Sequence, residues 1–461
     1  PPSPAAMPRI LFVDDNVRSV GGHYLELASL LADGARQLGF QPSLIANRGL
    51  ANECGHDDSR WNPTQSKLAF PIFPEFSVRR MEHWSLGVDG NSSCRRAAEK
   101  TTPEGVSPRA MFQRLRDAVA KKSRQPERMI SVWANTFHSA VVRFDPGPDD
   151  AVVVNTGSDF QMLALARALK QEPFASRSPK LRIHVLFHFA IYDQTVGRRA
   201  QEFGFQVNQC LQQMKGHDVT IHATTAALTD QLVRVGVSAR AVPYPTRERP
   251  CVGSKFIADG TDRDDRPKIV LAGIPRVEKG RDLIRNLIAG LDERFLRPGR
   301  LQWSMQLPQK RWQRYLPKSS LDLCDDRERL PAIERQFGNL SDEAYHRWID
   351  SASIGLFLYD PRRYVARCSG VLLEMMVRGI PVIVPEGCWL SEQVRSAPRP
   401  IGWIYRDARE LPDRLETMLE DLPEYRQNAL EHARYIREHH CGAATLYAMN
   451  FQPVMKSKQA A

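Results

Sequence analysis

The feature that most constrains this chain is a repeated alternation. Short apolar runs stop on a polar or glycine residue, and each is followed by a stretch with helical spacing. The first instance is residues 9–14 (RILFVD), then Gly21-Gly22-His23, then residues 24–38, whose Leu27, Leu30, Leu31, Ala35 and Leu38 share one helical face. Gly39 stops that helix, and residues 41–46 read as a second strand. Uninterrupted apolar runs suit strands buried on both faces, and β-loop-α-β order demands parallel strands with right-handed crossovers. The pattern predicts further strands at 130–133, 151–155 (AVVVN), 182–187 (RIHVLF), 219–223 and 241–245, with helices at 161–169, 196–214 and 226–235. It begins again at 268–273 (KIVLAG): helix 282–291, strand 302–306, residues 345–351 leading into strand 354–359 (IGLFLY), helix 370–378, strands 381–384 and 403–405, and a charged amphipathic helix at 424–438.

The expected fold class is therefore α/β, with two Rossmann-like doubly wound domains facing across a cleft. Residues 249–266, rich in Gly, Asp and Arg, read as the linker. The expected boundaries are 7–248 for a first, acceptor-side domain, 249–425 for a second, nucleotide-side domain, and 426–461 for a C-terminal helical tail. Residues 51–128 break the alternation; they are polar, rich in Pro, Ser and Arg, and helically spaced only at 110–120, so they read as an insertion on the first domain. In open α/β sheets ligands bind beyond the carboxyl ends of the strands, so a cleft between two such sheets is the expected site.

Composition narrows the function classes. With 42% hydrophobic and 25% charged residues the chain is neither wholly disordered nor fibrous. No run of about 18 apolar residues occurs, so no membrane-spanning helix is expected. The eight cysteines are scattered, without C-x-x-C or zinc-finger spacing, and are expected to be reduced thiols. Met7 reads as the natural start, no basic stretch followed by an apolar segment opens the chain, and a cytoplasmic location is expected. The net charge of +11 points to an anionic partner. Without a nucleic-acid motif or repeat, phosphorylated small molecules and acidic lipid headgroups are favoured over nucleic acid. Residues 76–128 carry many Arg and Lys with Trp84 and Phe112 interleaved. They read either as a contact to a membrane surface or anionic acceptor, or as a solvated arm.

The strongest chemical signal is Arg367-Cys368-Ser369-Gly370-Val371-Leu372-Leu373-Glu374, followed by residues 379–384 (GIPVIV). Ser369 and Gly370 sit where a helix begins, and free backbone amides there suit a diphosphate. Gly370 lets a phosphate approach the backbone. Glu374, one turn on, is placed to accept hydrogen bonds from two ribose hydroxyls. The plainer readings are an ordinary N-cap and a solvated helix residue.

These residues carry a resemblance. Residues 354–384 are similar to the donor-nucleotide segment of the GT-B glycosyltransferases, and most similar to the "group 1" glycosyltransferase family. Residues 272–280 (AGIPRVEKG) resemble that family's G-R-x-x-x-x-K-G loop, residues 12–22 with Gly39 its first strand, glycine loop and helix, and residues 223–245 the strand, helix and "v-P-y-P" hinge that end its first domain. The resemblance implies a hexose moved from a nucleotide diphosphate sugar to a hydroxyl acceptor, with retention and without a metal or other cofactor. It implies that Glu374 grips the ribose and that Lys279 meets the diphosphate; Arg276 is read as the replacement for the loop arginine and Arg367 as a contact to donor phosphate or sugar, with Gly273, Ser369, Gly370 and Val371 at the donor. A departing diphosphate gains negative charge, which a Lys/Arg pair stabilises in the transition state. The chain departs from the family at Ala366, where an acidic residue is usual, and at Ile274, where the loop arginine would fall. His188 matches the family histidine at the end of a strand, where an imidazole hydrogen-bonds a sugar hydroxyl. His184 is its alternate. Gly21, Gly22 and His23 resemble the loop near the acceptor, and Asp159 is a further acid/base candidate.

The rival readings are a nucleotide-sugar 2-epimerase, which needs extra cleft carboxylates that the chain does not offer, and a non-catalytic nucleotide-sugar-binding protein, which Ala366 and Ile274 favour. A dinucleotide-dependent dehydrogenase is disfavoured because no G-x-G-x-x-G follows a strand.

Overall fold

The computed structural model describes residues 7–19, 23–53, 70–79, 126–247, 266–324 and 331–454. The chain forms two compact units, residues 1–242 with 446–461, and residues 243–445. Each is built on one wholly parallel sheet.

The first sheet has seven strands in the order β3-β2-β1-β4-β5-β6-β7. These are β1 (Arg9–Val13), β2 (Gln41–Asn47), β3 (Ile72–Phe76), β4 (Ala151–Gly157), β5 (Arg182–Phe187), β6 (Asp218–Ala223) and β7 (Arg240–Ala241). The six-stranded second sheet runs β10-β9-β8-β11-β12-β13. Its strands are β8 (Lys268–Leu271), β9 (Gln302–Leu307), β10 (Ile333–Phe337), β11 (Ile354–Leu356), β12 (Val382–Pro385) and β13 (Gly402–Tyr405). Both sheets reverse direction beside their first strand, between β1 and β4 and between β8 and β11. Such a switch point opens a crevice at the carboxyl ends of the strands.

The central strand β8 is apolar on both faces because packed side chains cover both. Ile269 and Leu271 pack with Ile284, Ile288 and Trp303, whereas Val270 and Ala272 pack with Phe357, Leu372 and Met375. This period of two is the pleat of the strand expressed as two cores. In the first sheet β4 (AVVVNTG) is buried throughout.

Several expectations are corrected. Residues 130–133 are not a strand; they lie in the helix Pro126–Phe144. Its buried Ile130, Trp133, Ala134, Phe137, Ala140 and Val141 recur at three and four residues, the helical period. β3, inside the expected insertion, and β10, with its polar Glu334, Arg335 and Gln336, lacked the apolar signal that marks the other strands. The boundary expected at 248 falls between Val242 and Pro243. The Pro243 carbonyl accepts from the Thr445 hydroxyl (2.8 Å), and the Tyr244 carbonyl pairs with His440 Nδ1 (2.9 Å), so the hinge residues are bonded to the second unit. The expected separate tail at 426–461 does not form. Ala429, Ala433 and Ile436 of the helix Leu422–His439 are buried in the second unit, and the chain from Leu446 belongs to the first. There Phe451 meets the Phe40 ring edge-on at 5.6 Å.

Gly21, Gly22, the helical spacing at 110–120 and most of the basic stretch 76–128 lie outside the described residues. Among the described residues no helix is long and apolar enough to cross a membrane, and no cluster of His, Cys, Asp or Glu could hold a metal ion. The described cysteines, Cys210, Cys324, Cys368, Cys388 and Cys441, form no disulfide among the described residues.

Candidate functional site

The second switch point gathers most of the residues singled out in the sequence. Beyond β8 the chain turns through Gly273 into a short 3-10 turn, Val277–Lys279, and then Gly280. Gly280 has φ +73°, and a Cβ there would lie 2.0 Å from the Leu358 carbonyl oxygen. Only glycine permits that approach. The turn is tied to the loop after β11, since Asp360 donates its backbone N–H to the Glu278 carbonyl at 3.0 Å. Lys279 and residues 359–369 are thereby brought together.

Gly273 has φ +91°, and a Cβ there would stand 2.7 Å from Lys279 Nζ, so the ammonium occupies the space that a side chain would take. Nζ lies 5.4 Å from the centre of the Tyr359 ring. That ring meets Tyr364 at 4.4 Å, and the Arg367 guanidinium sits 5.3 Å from the Tyr364 ring. Tyr359 also shares a side-chain hydrogen bond with Ser369. No carboxylate forms an ion pair with Lys279 among the described residues. Burial, followed by the nearby Arg276 and Arg367 charges, holds its pKa below the usual lysine range. Burial likewise pushes the Tyr359 and Tyr364 hydroxyls up to about 12, so both stay protonated donors. Arg276 is largely exposed and lies 3.8 Å from Glu278. Ile274 turns no charge toward the loop, and Ala366 is fully buried, where a longer acidic side chain would meet the core.

The helix Gly370–Met376 starts from Ser369, whose hydroxyl accepts from the Leu372 N–H at 3.3 Å. A Cβ on Gly370 would meet only the Tyr244 ring, at an ordinary 3.6 Å. The protein itself therefore does not require glycine there. Val371, beside it, is partly buried. Glu374 is buried rather than solvated, and its Oε2 accepts from the Tyr345 hydroxyl at 2.7 Å. Tyr345, Tyr359 and Tyr364 carry no motif, and sequence reasoning missed them. Their only signal was an aromatic residue in the loop after a buried strand or on a helix.

The first switch point is different. Asp14 and Asp15, just beyond β1, are each 1% exposed. Asp14 accepts from the Thr156 hydroxyl at 3.1 Å and the Asn16 N–H at 2.9 Å, and Asp15 accepts from the Gln161 amide at 3.1 Å. Burial, reinforced by Asp15, raises the Asp14 pKa to about 7. His188, next after β5, is buried, and its Nε2 hydrogen-bonds the Asn155 carbonyl of β4. Asp159 is the fully buried first residue of the helix Asp159–Ala168, which Ser158 caps. His23 begins the helix His23–Gln37, with its ring 4.0 Å from Tyr24. His184, the alternate to His188, is instead paired with His222 at 2.9 Å and faces Phe451.

No model of a known protein family matches the sequence, and no curated protein matches it. Solved structures do match. A sucrose-phosphate synthase from Thermosynechococcus elongatus superposes with TM-score 0.59 at 13% identity, covering 96% of this chain and 97% of that one. A glycosyltransferase from Rickettsia africae gives TM-score 0.56 at 12% identity, with 96% of each chain covered. Anabaena HepE in complex with UDP-glucose gives TM-score 0.56 at 11% identity, covering 96% of this chain and 98% of that one. The chain thus has the fold of these proteins, the GT-B architecture of two Rossmann-like domains.

Proposed function

We propose that the protein is a retaining glycosyltransferase that moves a hexose from a nucleotide diphosphate sugar to a hydroxyl acceptor, in the synthesis of a polysaccharide or glycolipid. The observation that carries the reading is the half-buried ammonium of Lys279, lodged over Gly273 without a carboxylate ion pair among the described residues and accompanied by Arg276 and Arg367. The Lys279 ammonium, with the Arg276 and Arg367 charges adding to its field, is a positive centre that a diphosphate would neutralise. The fold agrees with the reading, and HepE was solved with UDP-glucose bound.

In this reading Lys279, Arg276 and Arg367 hold the diphosphate and stabilise the charge that grows on it as the glycosidic bond breaks. Those side chains supply the positive charge a metal would otherwise bring, so no metal or other cofactor is assigned. Gly273, Ser369, Gly370 and Val371 shape the donor pocket, and the missing side chain at 370 leaves room for a phosphate against the backbone. Glu374 accepts from the ribose. The first domain takes the acceptor, with Gly21, Gly22, His23 and Asp159 around it and His188 hydrogen-bonding a sugar hydroxyl. The basic stretch 76–128 is the place where a lipid-linked acceptor at a membrane surface would be met.

The test is a thermal-shift screen with UDP, GDP, ADP and TDP. A nucleotide held at about a hundred times its dissociation constant adds about 2.7 kcal/mol of stability. Glu374→Ala is expected to remove most of that gain. No stabilisation by any of the four, together with no hydrolysis of any sugar nucleotide, would sink the proposal. Binding without turnover would instead favour the non-catalytic reading that Ala366 and Ile274 suggest.

A further inference from the structure

Glu374 does not stand alone, and the groups around it assign a role to a residue that no motif marks. The helix Asp342–Asp350 is capped by Ser341, which accepts from the Ala344 N–H at 3.2 Å. It presents Tyr345, His346 and Asp350 toward the helix that carries Glu374. Tyr345 donates its hydroxyl to Glu374 Oε2 at 2.7 Å. Arg378, only 4% exposed, donates from Nη1 to the Glu374 backbone carbonyl at 2.6 Å. The same guanidinium donates from Nε to Asp350 at 2.6 Å and from Nη2 to His346 Nδ1 at 2.7 Å. The backbone of Glu374 is thus anchored by Arg378, and its carboxylate by Tyr345.

A buried glutamate with three rotatable side-chain bonds would otherwise lose rotamer freedom on meeting a ligand. A charge-assisted hydrogen bond from a fixed phenol removes that loss in advance. We infer that Tyr345 is a positioning residue, which orients the Glu374 carboxylate for the vicinal hydroxyls of a nucleotide ribose. The inference rests on the reading of Glu374 as the ribose-binding residue. It adds that selectivity for ribose over 2′-deoxyribose depends on Tyr345 as well as on Glu374.

Tyr345→Phe keeps the ring contacts with His346 and Trp348, at 5.5 Å and 6.3 Å, and removes only the hydroxyl. The experiment measures dissociation constants by calorimetry for UDP, GDP and ADP and for their 2′-deoxy counterparts. Four proteins are compared: the wild type, Tyr345→Phe, Glu374→Ala and the double variant. Tyr345→Phe is expected to weaken the ribonucleotide roughly threefold to tenfold, the range of a single hydrogen bond, and to leave the deoxynucleotide nearly unchanged. In the Glu374→Ala background the same change is expected to have no further effect, because the two residues act as one unit. An unchanged preference for ribose in Tyr345→Phe, or an equal loss in the Glu374→Ala background, overturns the positioning role while leaving the donor site standing. If the wild type binds none of the nucleotides, the donor-site reading itself falls and takes this inference with it.

Discussion

The carboxyl ends of β1 and β4 and those of β8 and β11 hold the same place in the same strand order, yet they carry opposite charge. The first end is acidic and closed. Asp14 and Asp15 are buried, and Thr156, Gln161 and the Asn16 amide donate to them. The second end is basic. Lys279 is held over Gly273 with no ion pair among the described residues, and Arg276 and Arg367 add to the same field. A hydrogen-bonded acid network ties two strand ends together, whereas a half-buried lysine without an ion pair is costly until an anion arrives. Topology thus decides where a site can form, and side-chain charge is what sets the two ends apart in the proposal that the second takes a diphosphate.

The largest effect is expected from Lys279→Met, which removes the charge held over Gly273 at the second end. Loss of one charged contact to a developing anion slows turnover by about 10²–10³-fold, and stabilisation by nucleoside diphosphates should vanish in thermal melts. The unliganded variant should melt no lower than the wild type, because a desolvated charge has been removed. The pH dependence gives the sign. The folded-state pKa of Lys279 is lowered, so the unfolded chain binds more protons between that value and 10.5, and wild-type stability rises with pH across this window. Lys279→Met should flatten that rise. A variant that still binds diphosphates as the wild type does would abolish the contrast between the two ends.

Asp14→Asn tests the first end. Asp14 titrates near 7 in the folded protein against the ordinary 3.8, so the native state holds a proton that the unfolded chain has lost. Its contribution to stability is therefore full below about 4 and is lost as pH rises toward 7. Relative to the wild type, the asparagine variant should gain stability on going from pH 4 to pH 8. The size is set by the shift and reaches a few kcal/mol. Denaturant midpoints measured across that range check it, and parallel curves for the two proteins would refute a buried, costly ionisation.

The smallest effect is expected at Arg276, whose side chain is 68% exposed and 3.8 Å from Glu278. Exposed pairs of this kind contribute about 0–1 kcal/mol. Arg276→Ala should leave the melting temperature unchanged and weaken donor binding only several-fold, by an amount that shrinks as salt is added. A loss as large as that of Lys279→Met would make Arg276, not Lys279, the centre of the basic end.

Much of this contrast was legible in residue order. The runs RILFVD, KIVLAG and IGLFLY announced buried parallel strands, and their downstream Gly273, Lys279, Ser369, Gly370 and Glu374 do fall at one switch point. What misled was local. Residues 130–133 are apolar enough for a strand, but the period that continues to Val141 belongs to a helix. β10 is half-polar because Glu334 meets Ser304 and Lys268 at the edge of its sheet, where one side needs no apolar cover.

The sequence by itself determined the alternation of strands and helices, the two parallel sheets and the glycine and lysine of the loop after β8, because burial on both faces and backbone conformation act over a few residues. Only the tertiary structure decided that the hinge residues bond with the second unit, that the helix Gly442–Ala448 divides between the units, that His184 pairs with His222, and that Tyr345 and Arg378 hold Glu374. Apart from Arg378, which is four residues from Glu374, those partners are separated by about thirty to two hundred positions along the chain. Hydrogen bonds between them depend on angstrom-scale placement by the packed sheets and helices, which no local pattern of residues encodes.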